Sequence, residues 1–290
     1  MLEIDNINQV MLHFSLCKGL DATQRIMMGV ILMEEPNVTL AELADRVGMK
    51  EKQKALFYAS YAAIDLEQII EDYKKSGIQW VSFFDASFPH YLRHIYDPPS
   101  LLFYKGNIDL LKENLLSVVG SRAHSRYAAE VLEAFVPRLI DNDFVLVSGL
   151  AKGVDTLTHQ LTIKHSGKTV AVIGCGLDQC YPYENKVLQE VIAKEHLLLS
   201  EYPAGTKPLR HHFPMRNRII AGISLGTLVI EAKYRSGSLI TANIALKEGR
   251  EVFAVPGNIT SPFSGGTNDL IVQGATCVLS GEMLVENYLK

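Results

Sequence analysis

The stretch Leu115-Leu-Ser-Val-Val-Gly120 is an apolar run ending in a glycine, and it is the first of six apolar runs along the chain. The other five are Phe144-Val-Leu-Val-Ser-Gly149, Thr169-Val-Ala-Val-Ile-Gly174, His196-Leu-Leu-Leu-Ser200, Thr227-Leu-Val-Ile230 and Val252-Phe-Ala-Val-Pro-Gly257. Val, Ile and Leu dominate the runs, and segments long enough for a helix separate them. Buried parallel strands have this composition, and helical crossovers need this spacing. The pattern therefore predicts an α/β domain with a doubly wound, mostly parallel sheet.

The first quarter of the chain has a different composition. Residues 1–75 contain three of the 21 glycines and carry 8 basic and 12 acidic side chains, whereas residues 76–290 carry 20 of each. Here Thr39 precedes a helical apolar pattern and Glu42 follows three residues later, as in a capping box. We therefore expect a small all-helical domain at 1–75 and the α/β domain at 76–290. The aromatic-rich residues 76–112 are expected to form an irregular or β extension packed on the sheet.

The overall charge excludes a protein that attracts polyanions with its whole surface. The 290 residues include 28 basic and 32 acidic side chains, which gives a net charge of −4. Any site for nucleic acid must therefore be local. The four scattered cysteines form no CxxC pair, which is typical of free thiols in a reducing cytoplasm. Residues 1–6 are acidic and no apolar run could span a bilayer, so we expect a cytoplasmic protein without a signal peptide or membrane segment.

Two loops of small residues follow predicted strands and precede predicted helices. Gly120-Ser-Arg122 leads into a helix from about Ser125, and Ser236-Gly-Ser238 opens another helix. Backbone N–H groups at a helix amino terminus bind anions, and an arginine adds two parallel donors for phosphate. A plain tight turn with a solvated arginine is the alternative for the first loop. We favour phosphate binding, because the carboxyl ends of parallel strands face the expected cleft.

A local basic patch lies in the stretch Tyr202–Ile230, which contains no acidic residue. Its cations and histidines are Lys207, Arg210, His211, His212, Arg216 and Arg218. Phe213 and Asn217 lie among them, which is typical of a surface on which unpaired bases stack. A core position for Phe213 is the alternative.

Motifs for nucleotide cofactors and metals fail on spacing. Gly174-Cys-Gly176 lacks the third glycine of a dinucleotide fingerprint, and Gly167-Lys-Thr169 lacks the upstream glycine of a P-loop. Cys175 and Cys180 have no further ligands at zinc spacing. We therefore expect neither a cofactor nor a metal.

Several longer motifs resemble a known family over residues 80–280. They are Val118-Val-Gly-Ser-Arg122, Ser148-Gly-Leu-Ala-Lys-Gly-Val-Asp155, Gly174-Cys-Gly-Leu-Asp178 with Tyr181-Pro182 and Asn185, Ser200-Glu-Tyr202, Phe213-Pro-Met-Arg-Asn-Arg-Ile-Ile-Ala-Gly222, Glu231-Ala232, Ser236-Gly-Ser-Leu-Ile-Thr241 and Val255-Pro-Gly257. As a set they resemble the bacterial DNA-processing protein A family, also called DprA or Smf.

The resemblance implies an extended Rossmann-like domain that binds single-stranded DNA, with duplex DNA bound more weakly. It also implies a homodimer that protects incoming DNA and loads the RecA recombinase during natural transformation and homologous recombination. Carried over by position, Arg122 would lie on the DNA backbone, while Arg210 and Phe213 would be the family's basic residue and stacking aromatic.

The predicted DNA-binding residues combine both lines of reasoning. They are Gly120, Ser121, Arg122, Lys152, Asn185, Lys186, Arg210, Phe213, Arg216, Asn217, Arg218, Ser236, Gly237 and Ser238. The family often has lysine where this chain has Tyr183, so either Lys186 supplies that charge or the groove is weaker.

An enzyme and an interaction scaffold are the alternative functions. Related Rossmann-like domains cleave phosphoribosyl compounds, and Glu231 would then be catalytic in a nucleotide-processing enzyme of the phosphoribohydrolase type. However, Asp155, Asp178 and Glu231 have no His or Cys partner at a diagnostic spacing, so we expect them to brace loops. Several separated cations fit a groove for several phosphates better than a pocket for one nucleotide, so we expect a binding protein without turnover.

Overall fold

Five helices precede the first strand in the computed structural model, which describes residues 7–288. They are α1 (Ile7–Leu16), α2 (Ala22–Glu34), α3 (Leu40–Arg46), α4 (Glu51–Ala63) and α5 (Leu66–Ser76). The predicted capping box is confirmed, because Thr39 Oγ1 accepts a hydrogen bond from Glu42 N and the Glu42 carboxylate accepts one from Thr39 N. The acidic start at residues 1–6 lies outside the described residues.

A nine-stranded sheet forms the rest of the framework. Its strands are β1 (Gln79–Ser82), β2 (Leu101–Gly106), β3 (Asn114–Val119), β4 (Phe144–Ser148), β5 (Thr169–Ile173), β6 (Leu197–Ser200), β7 (Gly226–Val229), β8 (Glu251–Ala254) and β9 (Thr276–Cys277). The six predicted runs are strands β3 to β8, and every pairing among them is parallel. The predicted doubly wound α/β class is confirmed.

Helices connect the parallel strands and cover both faces of the sheet. They are α7 (Arg126–Ile140), α8 (Val154–Lys164), α9 (Lys186–Glu195), α10 (His212–Ile223), α11 (Gly237–Lys247), α12 (Gly265–Val272) and α13 (Gly281–Tyr288). A single helical turn, α6 (His90–Arg93), lies between β1 and β2.

The strand order, β1-β2-β6-β5-β4-β3-β7-β8-β9, contains one reversal of direction beside β3. From β3 the chain moves outward through β4, β5 and β6, then returns to the other side of β3 and moves outward again through β7, β8 and β9. In an open α/β sheet such a reversal leaves a crevice at the carboxyl ends of the two strands, because their connections leave in opposite directions. The topology therefore places a crevice beyond Val119 and Val229.

The segment 76–112 extends the sheet, as expected. β1 pairs with β2, and β2 pairs with β6, both antiparallel. The front helices pack on the sheet through one apolar cluster, in which Phe14 and Phe57 join Phe103, Ile173 and other buried side chains. The domain boundary between residues 75 and 76 stays a prediction, because this apolar cluster contains side chains from both sides of it.

His159 on α8 predicts how stability depends on pH. It is fully buried, its Nδ1 lies 2.7 Å from Thr169 Oγ1, and burial lowers its pKa to about 3. Between about pH 6.5 and pH 3 the unfolded chain binds a proton at this histidine and the folded chain does not, so stability falls by about 1.4 kcal/mol for each unit by which the pH is lowered. Between pH 7 and pH 5, we expect the free energy of unfolding of His159→Gln to fall by about 2 kcal/mol less than that of the wild type. Urea unfolding at the two pH values measures this difference.

The control for this experiment is His165→Gln, which changes an exposed histidine just after the same helix. Equal pH dependence in wild type and His159→Gln would contradict a neutral buried His159.

Candidate functional site

A cleft of about 430 Å³ opens at the point where the strand order reverses. Its walls come from the loops after β3, β4 and β7 and from the first two turns of α10. Nine predicted site residues line it: Gly120, Ser121, Arg122, Phe213, Arg216, Asn217, Ser236, Gly237 and Ser238. Tertiary structure thus brings together residues from three separate sequence segments.

The loop after β3 is held tightly on one side and presents Arg122 on the other. A Cβ atom at Gly120 would come within 2.6 Å of a Val154 methyl, so only glycine fits against α8 there. Ser121 Oγ donates to Ala123 O at 3.0 Å, which closes the turn. Arg122 is exposed and lines the cleft. The loop therefore offers an arginine on a fixed backbone.

Phe213 lies in the cleft wall and is half-buried rather than a core anchor. Its ring centroid is 5.9 Å from the guanidinium of Arg122 and 5.4 Å from the ring of Tyr181. Phe213, Arg216, Asn217 and Ile220 all line the cleft, because positions i, i+3, i+4 and i+7 share one face of α10. Part of the ring thus stays accessible to a ligand beside a cation.

A smaller recess of about 60 Å³ shares Arg122, Phe213 and Arg216 with the cleft. Lys152 and Tyr181 contribute to its wall. Lys152 Nζ pairs with Glu184 at 2.5 Å, and both side chains are exposed. The cleft and the recess therefore meet at Arg122 and Phe213.

Arg216 is buried beneath the cleft floor. It is 4% exposed, its Nη1 donates to Val172 O at 2.7 Å, and a Cβ on Gly149 would come within 1.7 Å of that nitrogen. Burial lowers the pKa of Arg216, and the nearby Asp155 carboxylate opposes this shift. Asp155 accepts hydrogen bonds from Gly149 N at 3.2 Å and Ala151 N at 3.4 Å, while burial raises its pKa. Asp155 therefore braces the loop after β4, as expected.

The other two carboxylates also brace loops. Glu231 is 3% exposed and its Oε2 accepts from Ser125 N at 2.9 Å, directly before α7. Asp178 accepts from Gly205 N at 2.8 Å. These contacts confirm the structural roles expected for both side chains.

Arg218 requires a correction. The residue is 7% exposed, its Nη2 lies 2.6 Å from Glu201 Oε1, and its Nε lies 3.1 Å from Asp97 Oδ2. Two carboxylates thus neutralise this cation away from the cleft. The acid-free stretch begins at Tyr202, one residue after Glu201, so the charge count over that stretch did not include the carboxylate that pairs with Arg218.

Asn185 requires a similar correction. It is 6% exposed, and its Nδ2 donates to Leu150 O at 2.9 Å and to Thr156 Oγ1 at 2.8 Å. This amide ties two loops together instead of facing a ligand. Arg210 and Lys186 are exposed, but in the described part of the chain they line neither the cleft nor the recess.

Sequence reasoning missed Lys233, Tyr234, Thr241 and Tyr181, which line the cleft or the recess. Lys233 and Tyr234 lie in the loop that follows strand β7, so the rule that located Arg122 after β3 could have found them. Thr241 lies one helical turn beyond Gly237, and only the helix direction turns it toward the cleft.

Metal and membrane sites receive no support from residues 7–288. Within this range no group of three or more His, Cys, Asp or Glu side chains could hold a metal ion. All four cysteines are free and are buried or half-buried. None of the helices described combines the length and apolarity that a bilayer crossing requires.

The fold and the cleft define a doubly wound α/β protein with a basic, aromatic-lined cleft at the reversal of its strand order. Residues 79–289 match the family described as DNA recombination-mediator protein A. The chain belongs to this family.

Individual relatives agree over most of the chain. DNA processing protein DprA from Streptococcus pneumoniae (strain ATCC BAA-255 / R6) is 46% identical over 254 residues, which cover 88% of each protein. DNA processing protein DprA from Bacillus subtilis (strain 168) is 44% identical over 222 residues, which cover 76% of this chain and 75% of that protein.

Two solved structures show the same fold. The X-ray structure of DNA processing protein A from Streptococcus pneumoniae has a TM-score of 0.89 at 43% identity and covers 99% of both chains. A structure of DNA processing protein A from Helicobacter pylori, described for its single-stranded DNA binding mode, has a TM-score of 0.65 at 29% identity. That match covers 72% of this chain and 97% of the other.

Proposed function

We propose that this chain binds single-stranded DNA along the cleft and recess and acts as a recombination mediator. The observation that carries the proposal is the half-buried Phe213 ring beside the exposed Arg122, because such a pair stacks a base and neutralises its phosphate. The single-stranded DNA binding described for the Helicobacter pylori relative supports it.

Each wall has a distinct part in this mechanism. Arg122 and Lys152 supply cations to the phosphates in the cleft and recess, and Phe213 supplies a π-face to one base. The exposed Arg210, which lies outside both, could contact only phosphates beyond them. Stacking is tolerant of sequence, since every base has a π-face. A base within a duplex has both faces already covered by its neighbours, so we expect duplex DNA to bind more weakly.

An enzyme of the phosphoribohydrolase type is disfavoured by the position of Glu231. Its carboxylate is buried and accepts a hydrogen bond from Ser125 N, and it is not among the described residues that line the cleft. A general acid or base must reach its substrate, directly or through one water. A nucleoside monophosphate incubated with the protein should therefore stay intact by chromatography.

The finer parts of the proposal concern partners and compartment. The resemblance to DprA supports a homodimer that protects incoming DNA and loads RecA during natural transformation, and the free thiols support a cytoplasmic location. Faster RecA filament formation on DNA coated with a single-strand-binding protein would test loading. A monomer mass in light scattering at micromolar concentration would contradict the homodimer.

Fluorescence anisotropy tests the DNA-binding proposal. Labelled dT20 and a 20-base-pair duplex are titrated with protein at two salt concentrations. We expect dT20 to bind more tightly than the duplex and to weaken as salt rises, because binding releases counterions from the phosphates. Equal binding of both, or binding insensitive to salt, would overturn the proposal.

Phe213→Ala separates stacking from charge neutralisation. We expect affinity for dT20 to fall by about 1–3 kcal/mol with no change in the salt slope, because the ring contributes stacking and carries no charge. Tyr183→Ala is the control, since Tyr183 is 75% exposed and, among the described residues, lines neither the cleft nor the recess. A lower salt slope in Phe213→Ala would indicate that the substitution displaces Arg122 instead.

A further inference from the structure

The amino terminus of α11 forms one wall of the cleft and has no side-chain cap within the described chain. The hydroxyl of Ser236, its N-cap residue, pairs with Ser238 Oγ at 2.8 Å instead of accepting from the helix. The first N–H groups of a helix have no partner inside it, so those of Gly237 and Ser238 are available to a ligand. Space above Gly237 is open, because a Cβ there would meet no described atom within 4 Å.

The neighbouring helix α7, which begins beside the loop after β3, is capped differently. Ser125 Oγ accepts a hydrogen bond from Ala128 N at 3.2 Å, and the Glu231 carboxylate accepts one from Ser125 N. The chain's own side chains thus cap α7. An anion in the cleft would therefore be bound by the amino terminus of α11 rather than by that of α7.

Arg216 is a second and independent feature that calls for an anion at this place. It lines the cleft and is 4% exposed, yet its Nε has no hydrogen-bond partner among residues 7–288. Leaving a buried charged donor unsatisfied is costly, so such atoms usually mark a missing partner. Arg216 therefore brings a cation with one unused donor to the cleft lining.

The charges that line the cleft leave a positive excess. Arg122, Arg216 and Lys233 are the cations, and Asp155 is the acidic side chain among the lining residues described. Asp155 already accepts from Gly149 N and Ala151 N. The positive end of the α11 dipole adds to this excess.

We propose that the cleft recognises a phosphomonoester, such as the terminal phosphate of a DNA strand, in preference to an internal phosphodiester. An internal phosphodiester has two free oxygens and one negative charge. A phosphomonoester has three acceptor oxygens and close to two negative charges near neutral pH. The α11 amino terminus, Arg122 and the buried cation Arg216 belong to different walls of the cleft, which suits the additional oxygen and charge.

The assignment of the phosphomonoester to a DNA end rests on the proposed function, because a free nucleotide carries the same phosphate group. The first arm compares dT12 that carries a 5′-phosphate, a 3′-phosphate or hydroxyls at both ends. The second arm compares thymidine 5′-monophosphate with thymidine as stabilising ligands in thermal unfolding. We expect one phosphorylated end to bind roughly tenfold more tightly than hydroxyl ends, and the monophosphate alone to raise the Tm.

Gly237→Asp is the variant that tests the site. The carboxylate fits the open space, favours the α11 amino terminus and competes with the ligand phosphate. We expect the ratio of affinities for phosphorylated and hydroxyl ends to fall close to one, with unchanged or higher Tm. Gly237→Asn is the matched control, because it has the same shape without charge and should keep most of the preference.

The outcomes separate this inference from the DNA-binding proposal. Equal affinity for all three dT12 ends, with equal Tm for monophosphate and nucleoside, would overturn the phosphomonoester site even if dT12 binds. A Tm shift with monophosphate but no end preference supports the site and identifies a free nucleotide as its ligand. If hydroxyl-ended dT12 fails to bind, the DNA-binding proposal fails, and the nucleotide arm alone decides this inference.

Discussion

Arg122→Ala is expected to weaken binding of single-stranded DNA by about ten- to hundredfold. A hydrogen bond to a charged group contributes about 1.5–3 kcal/mol, and the substitution removes both that donor and the cation beside Phe213. The slope of log affinity against log salt should also fall by about 0.7, because one fewer phosphate on a single strand is neutralised. Anisotropy titrations of dT20 at several salt concentrations measure both quantities.

Arg126→Ala is the matched control for this experiment. Arg126 lies four residues further along, its side chain is 93% exposed, and its Nε pairs with Glu130 at 2.7 Å. It carries the same charge but, among the described residues, does not line the cleft. Equal losses from Arg122→Ala and Arg126→Ala would indicate attraction by the general field of this surface and would contradict a specific Arg122 contact.

Arg218→Ala is expected to destabilise the folded protein by about 2–3 kcal/mol. Removing one partner of a fully buried ion pair costs about 3–5 kcal/mol, and the partial exposure of Glu201 and Asp97 reduces that cost. Both carboxylates would be left without their cation. The Tm should fall by about 3–5 °C, while the salt slope for dT20 should stay unchanged because Arg218 lies outside the cleft.

Arg138→Ala tests whether burial of the ion pairs causes the loss of stability expected for Arg218→Ala. Arg138 also faces two carboxylates, Glu282 at 2.8 Å and Asp141 at 3.8 Å, but its side chain is 58% exposed. Surface ion pairs contribute about 0–1 kcal/mol, so its removal should change the Tm little. A reduced salt slope without loss of stability in Arg218→Ala would restore Arg218 to the DNA-binding residues.

Much of the fold was predictable because its signals are local. Each of the strands β3 to β8 begins within one residue of the start of its apolar run. The Thr39 capping box is present, as its spacing indicated. The antiparallel extension at 76–112 was expected only as β or irregular structure. Its place beside β6 depends on pairing with a strand about 100 residues away, which no local pattern specifies.

The site was predictable in outline for the same reason. The rule that loops after parallel strands meet at one edge brought Arg122 and Ser236 together correctly. The charge count, in contrast, could not separate Arg216 from Arg218, nor could it find Lys233 just beyond the stretch it covered. Composition measures how many cations a segment has, but not what each one faces.

The class of sheet, the loops that reach its carboxyl edge and the local excess of cations all follow from the amino-acid sequence. Which of those cations a ligand can reach depends on how the chain folds. Residues that are two positions apart on an α-helix point in directions about 200° apart around its axis. Arg216 therefore faces the cleft, while Arg218 faces Glu201 and Asp97. Hydrophobic periodicity and turn chemistry are properties of neighbouring residues, whereas burial and charge pairing depend on segments that meet only when the chain has folded.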